Sequence, residues 1–286
     1  MLKIACLGPK GTFTSSALKK FMRVRGGMEE GKSYEIVFAG SVRGIIEKAS
    51  ATDVDFAFCP IENSLEGDIS ATLDGLAFNS NLYITSEYIM GVEQNLLAAR
   101  GAGMSDIKAI FSHPQAIGQC ADFIEKNFGG NIEIIQTAST ATAAQMVERS
   151  ARAAAIGDLE LAEKYGLDVL RRDIQDNDSN ATRFVTVEKK RSNPVKDAKT
   201  SIVFAVQHRA GELHKMLSIF HFYDINMLQI TSRPAKTVLG EYLFFVDIQG
   251  DSQDENVARA LDVIRGKTLF FRDMGSYEQY AEEKAE

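Results

Sequence analysis

The 286-residue sequence has no tryptophan and three cysteines, and no apolar run approaches the roughly 20 residues of a membrane span. The cysteines, Cys6, Cys59 and Cys120, lie far apart and form no C-x-x-C pair, which argues against the common zinc and redox spacings. Cys6 and Cys59 fall in apolar runs, where a free thiol usually behaves as a small core residue. We therefore expect no metal site and no catalytic cysteine.

The charge distribution argues against nucleic-acid binding, and the N-terminal residues argue against a signal peptide. The formal net charge is −7, and the basic residues are scattered among acidic ones, so the concentrated basic face of a nucleic-acid-binding protein is missing. The opening segment, MLKIACLGPKG, begins a strand at once and lacks the apolar length and cleavage site of a signal peptide. We expect a cytoplasmic protein with no nucleic-acid or membrane partner.

Short apolar runs alternate with helix-like segments over the first 190 residues. Runs such as LKIACL, YEIVFAG and VDFAFC indicate strands, and helical patterns separate them. This βαβ alternation predicts an α/β fold with a largely parallel sheet and helices on both faces. Polar motifs follow several of the strands, at the positions where open α/β sheets bind ligands.

A second pattern begins beyond the charged segment EKKRSNPVKDAK, which has no apolar periodicity and which we interpret as a linker. After it, strand-like and helix-like segments follow one another in the order βαββαβ. That order predicts a second, ferredoxin-like unit over residues 200–280.

The stretch CPIENSLEGD places Glu62, Asn63 and Ser64 directly after the apolar run VDFAF. It offers a carboxylate, an amide and a hydroxyl, but no histidine, lysine or cysteine pair. Such a loop suits positioning and electrostatic stabilisation of a substrate better than covalent or metal-assisted chemistry.

Hydroxyl groups recur where strands give way to helices. Gly11 and Thr12 lie in the turn LGPKGTFTSSAL, Ser112 lies at the helix start within FSHPQAIGQC, and Ser139 and Thr140 open a later helix. Each taken alone is an ordinary helix-capping pattern. Together they suggest one cleft that holds negative charge at helix N-termini. No Walker sequence is present, so nucleotide binding is not expected.

The segment DIQDNDSNATRFVTV imitates a calcium-binding loop, but Ala181 and Val187 occupy positions where the loop needs glycine and glutamate. What remains is Thr182-Arg183-Phe184 at the start of a strand. An arginine beside a hydroxyl can clamp a carboxylate. An arginine that merely caps the end of a strand is the alternative.

Six segments give the chain its resemblance to a known family: GPKGTFTSSAL, CPIENSLEGDISATLDGL, SHPQAIGQC, STATAA, AAIGDLELAEKYGL and NATRFV. Their order and spacing over residues 1–190 resemble prephenate dehydratase, and the remainder resembles the ACT regulatory domain, as in the monofunctional form. The resemblance implies a catalytic domain with two lobes, like a periplasmic binding protein. Lobe one would comprise residues 1–80 and 170–190, and lobe two residues 81–169.

The activity implied by the resemblance is the decarboxylative dehydration of prephenate to phenylpyruvate, carbon dioxide and water in L-phenylalanine biosynthesis. The ring becomes aromatic, so neither a metal nor another cofactor is expected. By the same resemblance Thr182 bonds the departing hydroxyl, Arg183 pairs with a substrate carboxylate, and Glu62 is the hypothesised proton source. The residues expected to contact the substrate are Asn63, Ser64, Ser112, Gln115, Ser139, Thr140, Phe184, Gly11 and Thr12.

The C-terminal unit departs from the ACT pattern at two places. Glu212 stands where the family has alanine, and Thr231 stands where it has glutamate. The resemblance implies that L-phenylalanine binds there as an effector, and that the chain forms a homodimer or a homotetramer. The residues expected to hold the effector are Gly211, Leu213, Asn226, Ser232, Arg233 and Pro234.

Two other functions remain open from the sequence. Arogenate dehydratase carries out the same elimination on the amino analogue and shares these motifs. A non-catalytic sensor would combine a binding cleft with an ACT domain, although such a protein has no need for Thr182 beside Arg183.

Overall fold

The structure is a computed structural model, and it describes residues 1–51, 53–235 and 242–281. The strands are β1 Leu2–Leu7, β2 Tyr34–Ala39, β3 Phe56–Asn63, β4 Gly67–Asp68, β5 Tyr83–Gly91, β6 Asn95–Ala98, β7 Ala109–Ser112, β8 Glu133–Gln136, β9 Ala153–Gly157, β10 Asp168–Arg171, β11 Ala181–Glu188, β12 Lys199–Ala205, β13 Met227–Pro234, β14 Tyr242–Gln249 and β15 Phe270–Ala281. The helices are α1 Phe13–Gly26, α2 Val42–Ala51, α3 Ser70–Phe78, α4 Pro114–Gly118, α5 Ala121–Phe128, α6 Thr140–Val147, α7 Leu159–Tyr165, α8 Glu212–Phe222 and α9 Glu255–Lys267.

The strands form a larger and a smaller sheet. The larger has the order β13-β14-β12-β15-β5-β11-β3-β1-β2, with β4 paired to β3, and the smaller has the order β10-β6-β9-β7-β8. The predicted α/β class with two lobes is confirmed, but the sheets are mixed rather than largely parallel. Strand β1 runs parallel to β2 and β3, whereas β11 runs antiparallel to β3 and β5. The reason is that β11 returns from the second lobe and enters the first sheet from the opposite direction.

The chain crosses between the lobes twice. It leaves the larger sheet after β5, at Gly91, and re-enters it with β11, at Ala181. The first crossing therefore lies later than the predicted residue 80. A buried strand in the middle of a sheet and one at a lobe boundary have the same apolar pattern, so the sequence did not separate them. We call β1–β5 with β11 the first lobe, and β6–β10 the second lobe.

The C-terminal unit, β12 to β15 with α8 and α9, has the predicted βαββαβ order. Its four strands are antiparallel in the order β13-β14-β12-β15, which is the ferredoxin-like arrangement. Strand β15 is long: its first part pairs with β12, and its last four residues pair in parallel with β5, from Glu278 opposite Ser86 to Ala281 opposite Ile89. The C-terminal unit and the first lobe therefore share one hydrogen-bonded sheet.

The first lobe buries both faces of its sheet. On one face Phe58 and Phe184 stack with ring centroids 4.9 Å apart beneath α1. On the other face Ile61 and Leu76 pack with Phe245 of the C-terminal unit. Because the C-terminal unit covers this second face, a side chain on β3 or β11 points either toward α1 and the second lobe or toward the C-terminal unit.

The three cysteines lie in these cores. Burial raises the pKa of Cys6 to about 12 and that of Cys120 to about 12, and it also raises the pKa of Cys59. All three are buried free thiols. Across the described ranges no helix is long and apolar enough to cross a membrane. In the same ranges no group of three His, Cys, Asp or Glu side chains is placed to hold a metal ion.

Candidate active site

A cleft with a volume of about 300 Å³ opens between the two lobes. Polar groups from both lobes and from the first crossing segment face it. Its lining residues are Leu7, Thr12, Phe13, Thr14, Asn63 and Thr182 of the first lobe, Val92, Glu93 and Gln94 of the crossing, and His113, Gln115, Ala116, Gln119, Ala138, Ser139, Thr140 and Asp158 of the second lobe.

Helix N-termini from both lobes converge on this cleft. Thr12 caps α1 by accepting a hydrogen bond from the Ser15 amide, and Ser139 caps α6 by accepting one from the Thr142 amide at 3.0 Å. The exposed amides and the dipole of a helix start favour bound anions. No lysine or arginine lines the cleft within the described part of the chain. The helix starts therefore contribute positive potential to the cleft.

Asn63 and Thr182 form the centre of the first-lobe wall. They are directly opposite each other in the β3–β11 pairing, and the Asn63 amide donates to the Thr182 hydroxyl oxygen at 3.0 Å. The Asn63 carbonyl oxygen accepts from the amides of Leu65 and Glu66, which fixes the orientation of the side chain. Since the Thr182 oxygen already accepts a bond, its hydroxyl hydrogen can point into the cleft.

Arg183 follows Thr182 on β11 and points to the opposite face, as alternation along a strand requires. There its guanidinium contacts Glu62 at 3.1 Å, Glu87 at 2.9 Å and Asp247 at 2.8 Å. Burial lowers the pKa of Arg183, but the nearby acidic groups outweigh it, so the pKa lies above its ordinary value. Arg183 and Glu62 therefore lie outside the cleft. This differs from the expectation that they act on a carboxylate and as a proton source.

Phe184 and Ser112 lie in the buried interior of the lobes and do not line the cleft. Phe184 is fully buried in the core with Phe58 and does not reach the cleft surface. Ser112 is fully buried and donates from its hydroxyl to the carbonyl of Ile156 at 2.8 Å, which ties β7 to β9. Both differ from the expectation of direct substrate contact.

Ser64 and Gly11 shape the loops at the edge of the cleft. The Ser64 hydroxyl accepts from the Ala181 amide at 3.0 Å, so it holds β11 to the loop after β3. Gly11 has a φ of +91°, and its amide donates to the Ser15 hydroxyl at 3.0 Å. The cleft lining does not include either residue. By contrast, Thr12, Asn63, Gln115, Ser139, Thr140 and Thr182 all lie there together.

Several cleft residues were missed from the sequence. Asp158 caps α7 and also accepts from the Ser16 hydroxyl at 2.9 Å, so it links the lobes. Gln94, on the first crossing, donates to the side chain of Gln119 at 3.0 Å. Asp158 follows an apolar run and precedes a helical pattern, which could have indicated a cap. Gln94 carries no such signal.

A smaller cavity of about 100 Å³ lies in the C-terminal unit, where Leu213, Tyr242 and Phe244 line it with four residues of the β12–α8 connection. Gly211, with a φ of +84°, allows the turn into α8. The Glu212 carboxylate pairs with Lys215 at 2.6 Å, within the same helix.

The other expected effector residues lie on or near β13. Burial alternates along this strand, so Ser232 and Pro234 are exposed, whereas Arg233 is directed toward the first lobe. Arg233 pairs there with Asp74 of α3 at 3.4 Å. Asn226 is exposed at the start of the strand. None of these four lines the cavity that contains Leu213.

Comparison with known proteins gives the family. The prephenate dehydratase family model matches residues 4–192. The bifunctional chorismate mutase/prephenate dehydratase of Aquifex aeolicus is 34% identical over 276 residues, which are 96% of this chain and 73% of that protein. The prephenate dehydratase of Lactococcus lactis subsp. cremoris is 32% identical over 287 residues, 98% of this chain and 99% of its own.

Solved structures agree with this result. The prephenate dehydratase of Arthrobacter aurescens in complex with L-Phe superposes with a TM-score of 0.84 at 33% identity, covering 97% of this chain and 90% of that one. The family model matches more than half of the chain, and the relatives share both its sequence and its fold. The chain belongs to the prephenate dehydratase family.

Proposed function

We propose that this chain catalyses the decarboxylative dehydration of prephenate to phenylpyruvate in the cleft between its lobes. The observation that carries the proposal is the Thr182 hydroxyl, which faces the cleft and accepts a 3.0 Å hydrogen bond from Asn63. Family membership supports the same activity. The enzyme is thus a carbon–oxygen lyase of the hydro-lyase class.

The reaction breaks two bonds on the substrate ring. The carbon–carbon bond to the ring carboxylate breaks, and its electron pair forms a ring double bond as carbon dioxide leaves. The carbon–oxygen bond across the ring breaks with its electron pair on the oxygen, and the departing hydroxide takes up one proton from the solvent to become water. The gain of aromaticity drives both steps, so the protein has to hold the substrate, exclude water and stabilise the departing oxygen.

Thr182 is the group that we assign to the departing oxygen. Its oxygen is occupied by the Asn63 amide, so its hydrogen is available to donate. The helix starts at Thr12, Ser139 and Thr140 are the sites that we assign to the two substrate carboxylates. Gln115, exposed at the cleft, is a further polar contact. Glu62 and Arg183 take no direct part, because they face the C-terminal unit.

The test is product formation from prephenate by the native protein and by Thr182→Val, which keeps the shape but removes the hydroxyl. We expect turnover to fall by roughly a hundredfold or more in the variant, as for other lost transition-state donors. Binding of phenylpyruvate, measured by calorimetry, should change little, since Thr182 acts on the departing group. Binding without turnover by the native protein would point instead to the non-catalytic sensor.

Arogenate is a second candidate substrate, and one observation favours it. Glu93 is exposed at the cleft on the first crossing, where its carboxylate could meet an ammonium group. Comparing kcat/KM for prephenate and arogenate decides between them. If arogenate is the substrate, Glu93→Gln should reduce its turnover and leave that of prephenate unchanged.

L-Phenylalanine is the effector that we propose for the C-terminal unit. The Arthrobacter aurescens relative was solved with L-Phe, and one part of the cavity wall consists of Leu213, Tyr242 and Phe244, whose apolar and aromatic groups suit an aromatic side chain. Leu213→Ala should weaken binding of phenylalanine by about tenfold or more. Glu212→Ala should change it by less than about fivefold, because Glu212 pairs with Lys215 instead of facing the cavity. Calorimetric titration compares the two variants.

A homodimer or homotetramer is the expected assembly. Strand β13 lies at the edge of the larger sheet as described, and it exposes Leu228 at 45% and Ile230 at 38%. An apolar edge strand of this kind favours pairing with another chain. Light scattering on the native protein and on a Leu228→Lys variant measures the assembly.

The cytoplasmic location expected from the sequence stays a prediction.

A further inference from the structure

Arg183 lies at the joint between the first lobe and the C-terminal unit. A small cavity of about 20 Å³ is lined by Arg183 there. Its first-lobe partners are Glu62 on β3 and Glu87 on β5. Its partners in the C-terminal unit are Asp247 on β14, at 2.8 Å, and the side-chain oxygen of Gln229 on β13. Arg183, on the β11 strand that also carries Thr182, is therefore held by residues of both the first lobe and the C-terminal unit.

The contacts to Glu87 and Asp247 depend mainly on charge. Both are short, but neither the Arg183 Nε nor the Asp247 Oδ2 meets hydrogen-bond geometry. Lys199 of β12 joins the same two carboxylates, at 2.9 Å from Glu87 and 3.5 Å from Asp247. In a buried place such charge contacts are strong and costly to leave unpaired. Removing one charge should therefore displace its neighbours.

Asp247 is itself held firmly within the C-terminal unit. Its Oδ1 accepts from the Ser201 hydroxyl at 2.6 Å, and Ser201 is 2.6 Å from the hydroxyl of Tyr277. The titratable groups that face this cluster are Glu62, Asp68, Glu87, Arg183, Lys199, Asp247 and Tyr277. Asp247 is thus a fixed anchor for Arg183 on the C-terminal side.

We propose that Asp247 and Gln229 are positioning residues for the reaction, which act through Arg183 on the strand that carries Thr182. Neither touches the cleft. Thr182 and Arg183 are adjacent on β11, so a shift of the Arg183 side chain moves the backbone that places the Thr182 hydroxyl. The proposal rests on the function proposed above, and it gives the C-terminal unit a part in catalysis that does not require a bound effector.

The experiment uses the full chain and compares Asp247→Asn with Asp273→Asn. Asp273 is a matched control: it lies at the same joint, its side chain is 10% exposed, and it pairs with Arg191 at 2.6 Å, away from Arg183. Asp247→Asn should lower kcat by roughly tenfold or more, since small displacements of reacting groups are costly, with KM changed little. Asp273→Asn should keep the native kcat, even if both variants lose similar stability to urea.

A second comparison tests whether the effect passes through Arg183. A lysine at position 183 cannot contact Glu62, Glu87 and Asp247 at the same time. In an Arg183→Lys background, adding Asp247→Asn should therefore cause little further loss of kcat. Gln229→Leu should lower kcat in the same direction as Asp247→Asn. Equal losses of kcat in Asp247→Asn and Asp273→Asn, or full additivity with Arg183→Lys, would overturn the proposal.

Hydrogen exchange separates this proposal from the proposed function. Amides of residues 181–184 should exchange faster in Asp247→Asn than in the native protein, and Asp273→Asn should leave them unchanged. If the native protein converts neither prephenate nor arogenate, the proposed function fails, and the catalytic part of this proposal fails with it. Unchanged exchange in Asp247→Asn would overturn the link through Arg183, whatever the activity.

Discussion

Asn63 donates a hydrogen bond from its side-chain amide to the hydroxyl oxygen of Thr182, over 3.0 Å and across the β3–β11 pair. Its own carbonyl oxygen is held by the amides of Leu65 and Glu66 at 3.0 and 3.1 Å. The amide can therefore adopt one orientation, and that orientation makes Thr182 a donor toward the cleft.

Asn63→Asp should abolish most turnover without preventing binding. A carboxylate accepts hydrogen bonds, so the Thr182 hydroxyl would donate to it rather than to the departing oxygen. We expect kcat to fall by roughly a hundredfold, with a smaller change in KM. Steady-state kinetics with prephenate measure this effect. Gln115→Ala, which alters a contact on the second-lobe side of the cleft, should affect KM more than kcat. A native kcat in Asn63→Asp would show that the orientation of Thr182 does not matter.

Phe184→Ala should destabilise the protein by about 3–5 kcal/mol, because it removes a large buried side chain from a close-packed core. Phe184 is fully buried and stacks on Phe58 at 4.9 Å. Urea unfolding followed by circular dichroism measures the change in free energy. The control is Phe222→Ala, since Phe222 is 80% exposed and its loss should cost within about 0.5 kcal/mol. Equal effects of the two substitutions would contradict the packing described for the first lobe.

Gly275→Ala should weaken the joint between the first lobe and the C-terminal unit. Gly275 has a φ of +127°, and an added Cβ would overlap the carbonyl oxygen of Ile84 in β5. We expect a lower melting temperature and faster proteolysis near residue 190. Gly266→Ala, in α9, meets no neighbour within 4 Å and should be neutral or slightly stabilising, because alanine favours helices. An unchanged melting temperature in Gly275→Ala would mean that β15 and β5 are not closely paired.

Alkaline pH should destabilise the fold through its buried thiols. Burial raises the pKa of Cys6 and of Cys120 from 9.0 to about 12, whereas the unfolded chain ionises near the ordinary value. A raised folded-state pKa gives stability that is complete below pH 9 and lost as the pH rises toward 12. Urea unfolding at about pH 8 and about pH 10 measures the loss. Cys120→Ala should show a smaller loss over that interval. If the variant and the native protein lost the same free energy of unfolding over that interval, the assignment of the loss to thiols would be wrong.

Much of the architecture could be predicted because it depends on local patterns. The family and the βαββαβ order of the C-terminal unit are confirmed, since strand and helix periodicity and motif order carry that information. Helix starts such as Thr12 and Ser139 were recognisable from hydroxyls that follow apolar runs, and the structure brings them to one cleft.

The roles of Arg183 and Glu62 depend on information that is not local. The sequence shows that Thr182 and Arg183 are neighbours, but not which face of β11 borders the second lobe. That choice follows from the C-terminal unit, whose Asp247 lies far along the chain and meets Arg183 only in the folded protein. The register of β11 against β3 also shifts between Arg183 and Phe184, and no sequence pattern indicates this irregularity.

The pairing of β15 with β5 bears on how the catalytic domain behaves when it is isolated. A fragment ending near residue 190 would lose residues 278–281, and the outer side of β5 from Ser86 to Ile89 would become an unpaired edge. Such an edge offers free amide and carbonyl groups to any other strand that it meets. Glu87 would also lose Lys199, although Arg183 would remain beside it. A shortened fragment should therefore self-associate more readily than the full-length chain, which keeps this edge covered.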